Sequence, residues 1–305
     1  MNELLAKFAA VEIRSRDRLS REDIQFCEHQ QAAYESALSG YKELSVLWSK
    51  MAAIQMEHTG SDTPEDNKDY SDYDSTIVRN YLSSEKGAWL SVEAIQNHVA
   101  ALHRLFLEVL VHYFNETYHL SLTKTEARRA FLPRNPGYGA VEEEWAEYRE
   151  KTDQLHLTAE AFVDWMLDSF DGRSPSEQAV FELKQRCHEA VWDRITRDKC
   201  YERSKATIRF NGYFCRTYSR DCLKDEMKNI LQAAAYYEAG AFAPYPYGID
   251  RLMNSDLHVY EDTVEFPDCE KLLSLRMFKN GRCDLKFTSP EYAEAFAAEY
   301  LGKDY

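Results

Sequence analysis

The amino-acid sequence predicts an α+β protein, with a predominantly helical N-terminal part and a smaller C-terminal domain of β-hairpins and helices. Three observations carry this. Apolar residues recur at steps of three and four through residues 22–57 and 89–118, the signature of amphipathic helices. Beyond Lys199 the pattern changes to β-branched and aromatic residues around two Asn-Gly dipeptides, the strongest short hairpin signal. A chain of 305 residues also exceeds the usual size of one core, so two domains are expected, 1–199 and 200–305.

In chain order, Ile24, Cys27, Tyr34, Leu38, Tyr41, Leu44, Trp48, Met51 and Ile54 make one stripe of a long helix, with a break expected near Gly40. Thr59 to Ser75 is acidic and almost free of aliphatic residues, and is read as a flexible acidic loop. Trp89 to Tyr118 carries Val92, Ile95, Val99, Leu102, Phe106, Val109, Leu110 and Tyr113, wide enough to pack on more than one side as a central core helix. The stretch TKTEARRAF is read as a basic turn. Leu132 to Gly139, with two prolines and two glycines, is a loop, and helices resume at Val141.

Ser174-Pro175-Ser176-Glu177 has the form of a capping box: Ser174 as N-cap, Pro175 at the first helical position and Glu177 at the third. The helix it opens is expected to run to Asp198. Two-residue hairpins are expected at Asn211-Gly212 and Asn280-Gly281, joined into one sheet, with a helix between them ended by Gly240. Ser289-Pro290-Glu291 opens a last helix that stops near Gly302.

Composition narrows the function. Fifty-two acidic and 37 basic residues give a net charge of −15, which repels nucleic-acid phosphates, so non-specific nucleic-acid binding is not expected. The charge is patchy: residues 141–180 hold eleven acidic and three basic side chains, 261–270 hold five acidic and no basic, and 191–220 hold eight basic and three acidic. Seven cysteines, an odd number without a C-x-x-C pair, suit a reducing compartment and disfavour structural zinc. The first residues have acidic and basic side chains scattered through them and no uninterrupted apolar core of a signal peptide, and no apolar run spans a bilayer, so a cytoplasmic protein is expected.

Few motifs carry chemistry. A metal-dependent nuclease of the PD-(D/E)xK type needs two carboxylates for the cation and a lysine near the scissile phosphate. Pro267-Asp268 followed by Asp284-Leu285-Lys286 satisfies that string, and alternation puts Asp284 and Lys286 on one face of a strand. The D/E-x-K triplet also begins at Asp66, Glu182 and Glu226, so a face of paired charges is the competing reading. Arg149…His156 and Arg251…His258 match the spacing of helical ribonucleases at the frequency that composition alone produces. Asn135-Pro136-Gly137-Tyr138 lacks the second proline of a methyltransferase N-P-P-Y loop. His98, His103, His112 and His119 form no i, i+4 pair and are read as ordinary core or surface histidines. Phosphate loops, nucleophile elbows and zincin helices are absent from the sequence, and no cofactor or metal is expected. Candidate binding residues are the acidic run Glu142, Glu143 and Glu144 and the tyrosines Tyr245 and Tyr247 of the APYPYG loop. Tyr236 and Tyr237 suit either an interface or the anchoring of a helix on the sheet.

The string FKNGRCDLKFTSPEYAEAFAAEYLG, Phe278 to Gly302, with RSKATIRFNGYF upstream, resembles an uncharacterised domain of phages, prophages and plasmids. That domain often accompanies DNA adenine methyltransferases, and in it an F-K-N-G-N hairpin leads into an alternating strand and a closing helix. The resemblance covers the last third of the chain. Arg282 and Asp284 stand where that family is expected to hold asparagine and histidine, so no site is carried over. The resemblance implies a mobile-element origin. Size and helical-plus-sheet character are also similar to those of the phage anti-Gabija proteins, oligomeric binders. The expectation is then an anti-defence protein that inhibits a host nuclease complex by protein contact, as a homo-oligomer. A metal-dependent nuclease on Asp268, Asp284 and Lys286 and a prophage structural or regulatory module are the alternatives.

Overall fold

The computed structural model describes residues 15–59, 91–192, 199–216, 221–254 and 262–302. The chain divides into two compact units: residues 1–117 with 122–174, and 118–121 with 175–305. The boundary therefore falls before the helix Pro175–Val191, whereas the sequence reading places this helix in the first domain. The reason is its buried face: Leu183, Cys187 and Val191 join the core of the C-terminal sheet. The acidic loop expected at 59–75 lies, apart from Thr59, outside the described residues.

In the first unit, helix α1 (Arg21–Thr59) opens on a reciprocal cap: the Ser20 hydroxyl accepts from the Asp23 N–H and the Asp23 carboxylate accepts from the Ser20 N–H. It is unbroken at Gly40, contrary to expectation. Helix α2 (Val92–Tyr118) runs antiparallel to it, with Phe26 stacked on Tyr113, Tyr34 on Phe106 and Tyr41 on His98. Ile95, Val99, Phe106, Leu107, Leu110, Val111 and Phe114 are buried, as a central helix requires. The stretch read as a basic turn is helix α3 (Lys124–Phe131), because Thr123 and Glu126 make a cap the sequence reading missed: the Thr123 hydroxyl accepts from the Glu126 N–H. Helices α4 (Glu142–Gln154) and α5 (Ala159–Ser169) follow in the same unit.

The second unit begins with α6 (Pro175–Val191), starting where the Ser-Pro signal puts it. Strands β1 (Tyr201–Ser204), β2 (Thr207–Phe210), β5 (Thr263–Glu265), β6 (Leu272–Met277) and β7 (Cys283–Phe287) form an antiparallel sheet of order β1-β2-β7-β6-β5, as the α+β reading expects. Strands β3 (Phe214–Arg216) and β4 (Asp221–Leu223) pair separately. Helices α7 (Asp225–Ala239), α8 (Tyr247–Asn254) and α9 (Pro290–Tyr300) complete the unit. Ile208, Phe210, Leu275, Cys283, Leu285 and Phe287 alternate onto the inner face, where Met227, Ile230 and Phe296 of the helices meet them. Tyr237 belongs here: its ring packs on Phe287, Phe296 and Tyr300, which favours the anchoring reading.

The two Asn-Gly turns differ from the expected geometry. At Asn280-Gly281 the Gly281 N–H donates to the Phe278 carbonyl and Gly281 takes φ 86°, giving a three-residue loop with a glycine in the left-handed region. Asn211-Gly212 closes no hairpin. Strand β2 has β1 on one side, through a turn at Lys205-Ala206, and β7 on the other, so both edges are taken. The chain instead turns away at Gly212 and docks on the other Asn-Gly loop, with the Tyr213 and Phe214 N–H groups donating to the Gly281 carbonyl.

Candidate functional site

The first unit carries a groove between the N-terminal half of α1 and the start of α5, with a volume of about 470 Å³. Leu19, Ile24, Cys27, Ala32, Ala159 and Val163 supply its apolar lining, and Glu28, Glu35, Glu160 and Asp164 its acidic rim. Among the described residues no lysine or arginine lines it. Gln31 fixes the geometry between the two helices. Its side-chain oxygen accepts from the Ala159 N–H at 2.7 Å, and its side-chain nitrogen donates to the Leu157 carbonyl at 3.1 Å and to Glu35 at 2.8 Å. The first free N–H of α5 is thus held by a side chain of α1, and Thr158 caps the third by accepting from the Ala161 N–H.

The electrostatics are one-sided. Glu160 and Asp164 are four residues apart on one helix face, an arrangement that costs an isolated helix roughly 0.2–0.5 kcal/mol. The His156 imidazole stands near the rim, its Nε2 3.8 Å from Glu35. An apolar floor of this volume takes an aliphatic or aromatic side chain, and the carboxylates suit ammonium or guanidinium groups beside it. Among the described residues no set of three or more His, Cys, Asp or Glu is placed to hold a metal ion. No described helix is long and apolar enough to cross a membrane.

Beneath the groove lies a buried polar chain. The Tyr34 hydroxyl meets His103 Nδ1 at 2.8 Å, His103 Nε2 meets the Thr152 carbonyl at 3.1 Å, and the Leu157 N–H donates to the Tyr34 oxygen at 3.2 Å. Since the Thr152 carbonyl can only accept, Nε2 carries the proton and Nδ1 accepts from tyrosine. Burial, the dominant cause, holds the His103 pKa below the ordinary imidazole value, against the hydrogen bond to Thr152.

The residues singled out in the sequence are distributed differently. Glu142, Glu143 and Glu144 form the exposed first turn of α4, where carboxylates stabilise the positive end of the helix dipole, and Glu142 pairs with Arg149. Tyr247 is 68% exposed, whereas Tyr245 packs partly against the core and its hydroxyl accepts from Gln232 at 3.4 Å. The glutamates belong to the first unit and the tyrosines to the second. Asp284 and Lys286 share the outer sheet face, as alternation predicts. Asp284 lies 3.0 Å from Arg282 Nε and 3.9 Å from Arg209 Nε, and opposite Arg276 in the register, so its carboxylate is the counter-ion of arginines. Asp268 is exposed in the β5–β6 turn, before Leu272. Asp284 pairs with Arg276, four residues or about 13 Å along the strand beyond Leu272, whereas Asp268 lies in the turn before Leu272. The nuclease set is not brought together.

Sequence reasoning missed the groove. Its signals were present as Glu28 and Glu35 seven apart beside Cys27, and as Glu160 and Asp164 within the acidic segment 141–180. What joins them is the Gln31 clamp, across more than a hundred residues. Comparisons with protein-family models, with curated proteins and with solved structures return no match.

Proposed function

We propose that this chain works by protein contact, holding a basic, partly apolar segment of a partner in the acid-rimmed groove between α1 and α5. The observation that carries the reading is the groove itself: an apolar floor, four carboxylates and, among the described residues, no lining lysine or arginine. The net charge of −15 acts in the same direction, steering a positively charged partner and weakening contact with nucleic acid. The resemblance of the last third of the chain to a phage and plasmid domain supplies the setting. In this reading the partner is a host anti-phage nuclease complex in the bacterial cytoplasm, whose basic DNA-binding surface the chain occupies. Glu143 and Glu144, exposed in the first turn of α4, extend the acidic surface of the same unit.

The test uses the full chain with a purified nuclease complex of a bacterial defence system, and the double variant Glu160→Lys/Asp164→Lys, with circular dichroism as the check on folding. Wild type binds and inhibits cleavage at low salt, and binding weakens as salt rises. The variant binds about tenfold more weakly or worse. Equal inhibition by both proteins, or none by wild type, overturns the reading.

A further inference from the structure

The two halves of α1 differ in what they bury. Tyr34 and Leu38 are each 3% exposed, whereas Leu47, Met51 and Ile54 of the same helix are 55%, 40% and 52% exposed. At about 100° per residue, Leu47, Met51, Ile54 and His58 fall on one stripe, roughly 150° around the helix from the face of Tyr34 and Leu38. Their steps of four, three and four are those of a heptad seam. The two positions that flank the seam on one side, each immediately before a first core position of the heptad, are Lys50 and Glu57. They carry opposite charges, both are exposed, and neither takes part in an ion pair among the described residues.

We propose that two copies of this chain pair through this stripe as antiparallel helices, with Met51 of one against Ile54 of the other and Lys50 of one against Glu57 of the other. Charge selects both orientation and register. In the antiparallel arrangement centred between Ala52 and Ala53, each core layer pairs a first with a fourth heptad position, and the flanking residues that meet are Lys50 and Glu57, twice by symmetry. A slip of one heptad sets Lys50 against Lys50 and Glu43 against Glu57, both repulsive. A parallel pair sets Lys50 against the neutral Gln55. The seam from Leu47 to His58 holds four layers over about 17 Å of helix. A contact this short belongs with small, transient interfaces, so association in the micromolar range that weakens with salt is expected. This inference stands apart from the groove reading, which concerns the other half of the helix.

The experiment is sedimentation velocity on the full-length protein through the micromolar range, for wild type, Lys50→Glu, Glu57→Lys, the double reversal, and Ile54→Glu. Helicity is checked by circular dichroism. Wild type shows a monomer–dimer equilibrium. Each single reversal opposes two like-charged pairs and weakens it about tenfold, while the double reversal returns it to within about twofold of wild type. Ile54→Glu abolishes it. A wild type that stays monomeric overturns the proposal, as does a dimer indifferent to Ile54→Glu. A dimer that tolerates the single reversals, or is not recovered by the double one, overturns the antiparallel register.

Discussion

Tyr34→Phe removes one oxygen atom and tests whether the buried polar chain under the groove holds the first unit together. The side chain keeps its packing on Phe106, centroid to centroid 4.4 Å, so the transfer of apolar surface hardly changes. What changes is hydrogen bonding. The hydroxyl donates to His103 Nδ1 and accepts from the Leu157 N–H, and Tyr34, His103 and Leu157 are 3%, 1% and 4% exposed. Water does not reach the groups left behind. A buried donor or acceptor without a partner costs about 1–3 kcal/mol. Two of them, less some relief from small shifts, give a loss of about 2–4 kcal/mol. Urea denaturation at neutral pH, followed by far-ultraviolet circular dichroism, measures it as a lower midpoint at unchanged slope. A loss below about 0.5 kcal/mol would show that the hydroxyl is not the link between α1, α2 and the Leu157 backbone, since surface changes fall within that range.

The same chain predicts a pH dependence. The folded pKa of His103 lies below its unfolded value of about 6.5, so the unfolded chain binds a proton first, and stability present above about pH 6.5 is lost as pH falls towards the folded pKa. Wild type therefore loses stability as pH falls below about 6.5 relative to His103→Gln, and parallel profiles for the two proteins would refute the assignment. In the second unit, the Glu238 carboxylate accepts from the backbone N–H groups of Glu270, Lys271 and Leu272 at 2.6, 2.9 and 3.1 Å, tying the end of α7 to the start of β6. Glu238→Ala should cost about 2–4 kcal/mol in thermal or urea unfolding, and hydrogen exchange at Lys271 and Leu272 should accelerate first. A variant with wild-type exchange at those amides would remove the anchor.

What could be read in advance was local. The first half of the α1 stripe, the stripe of α2, the Ser-Pro starts of α6 and α9 and the glycine that ends α7 each depend on residues within one or two turns and stand in the structure as expected, whereas Met51 and Ile54, read as part of the same α1 stripe, are exposed on another face. The Thr123–Glu126 cap was equally local and was hidden by the basic residues after it. The misread turn at Asn211-Gly212 is of another kind. An Asn-Gly dipeptide specifies a tight turn but not the partner of the strand before it, and β2 pairs with β7 across more than seventy residues. The candidate sites divide the same way: Asp284 and Lys286 on one face follow from alternation, whereas the position of Asp268 and the meeting of Gln31 with Ala159 depend on long-range pairing.

Gly40 joins the local and the distant arguments. A glycine inside a helix costs roughly 0.5–1 kcal/mol relative to alanine, which is why the sequence suggests a break there. The helix continues because it is held on both sides of that position, by Tyr34 and Leu38 in the core and by Tyr41 stacked on His98. A Cβ at Gly40 would meet nothing within 4 Å, and its φ lies outside the left-handed region, so neither space nor backbone demands glycine. Gly40→Ala should then stabilise the protein by about 0.5–1 kcal/mol, read from the urea midpoint. It should also stiffen the junction between the groove half of α1 and the exposed Leu47–His58 stripe, slowing amide exchange on both sides of residue 40. Destabilisation by alanine would mean that the residue is needed as a point of bending, and that the two halves of the helix do not act as one rigid element.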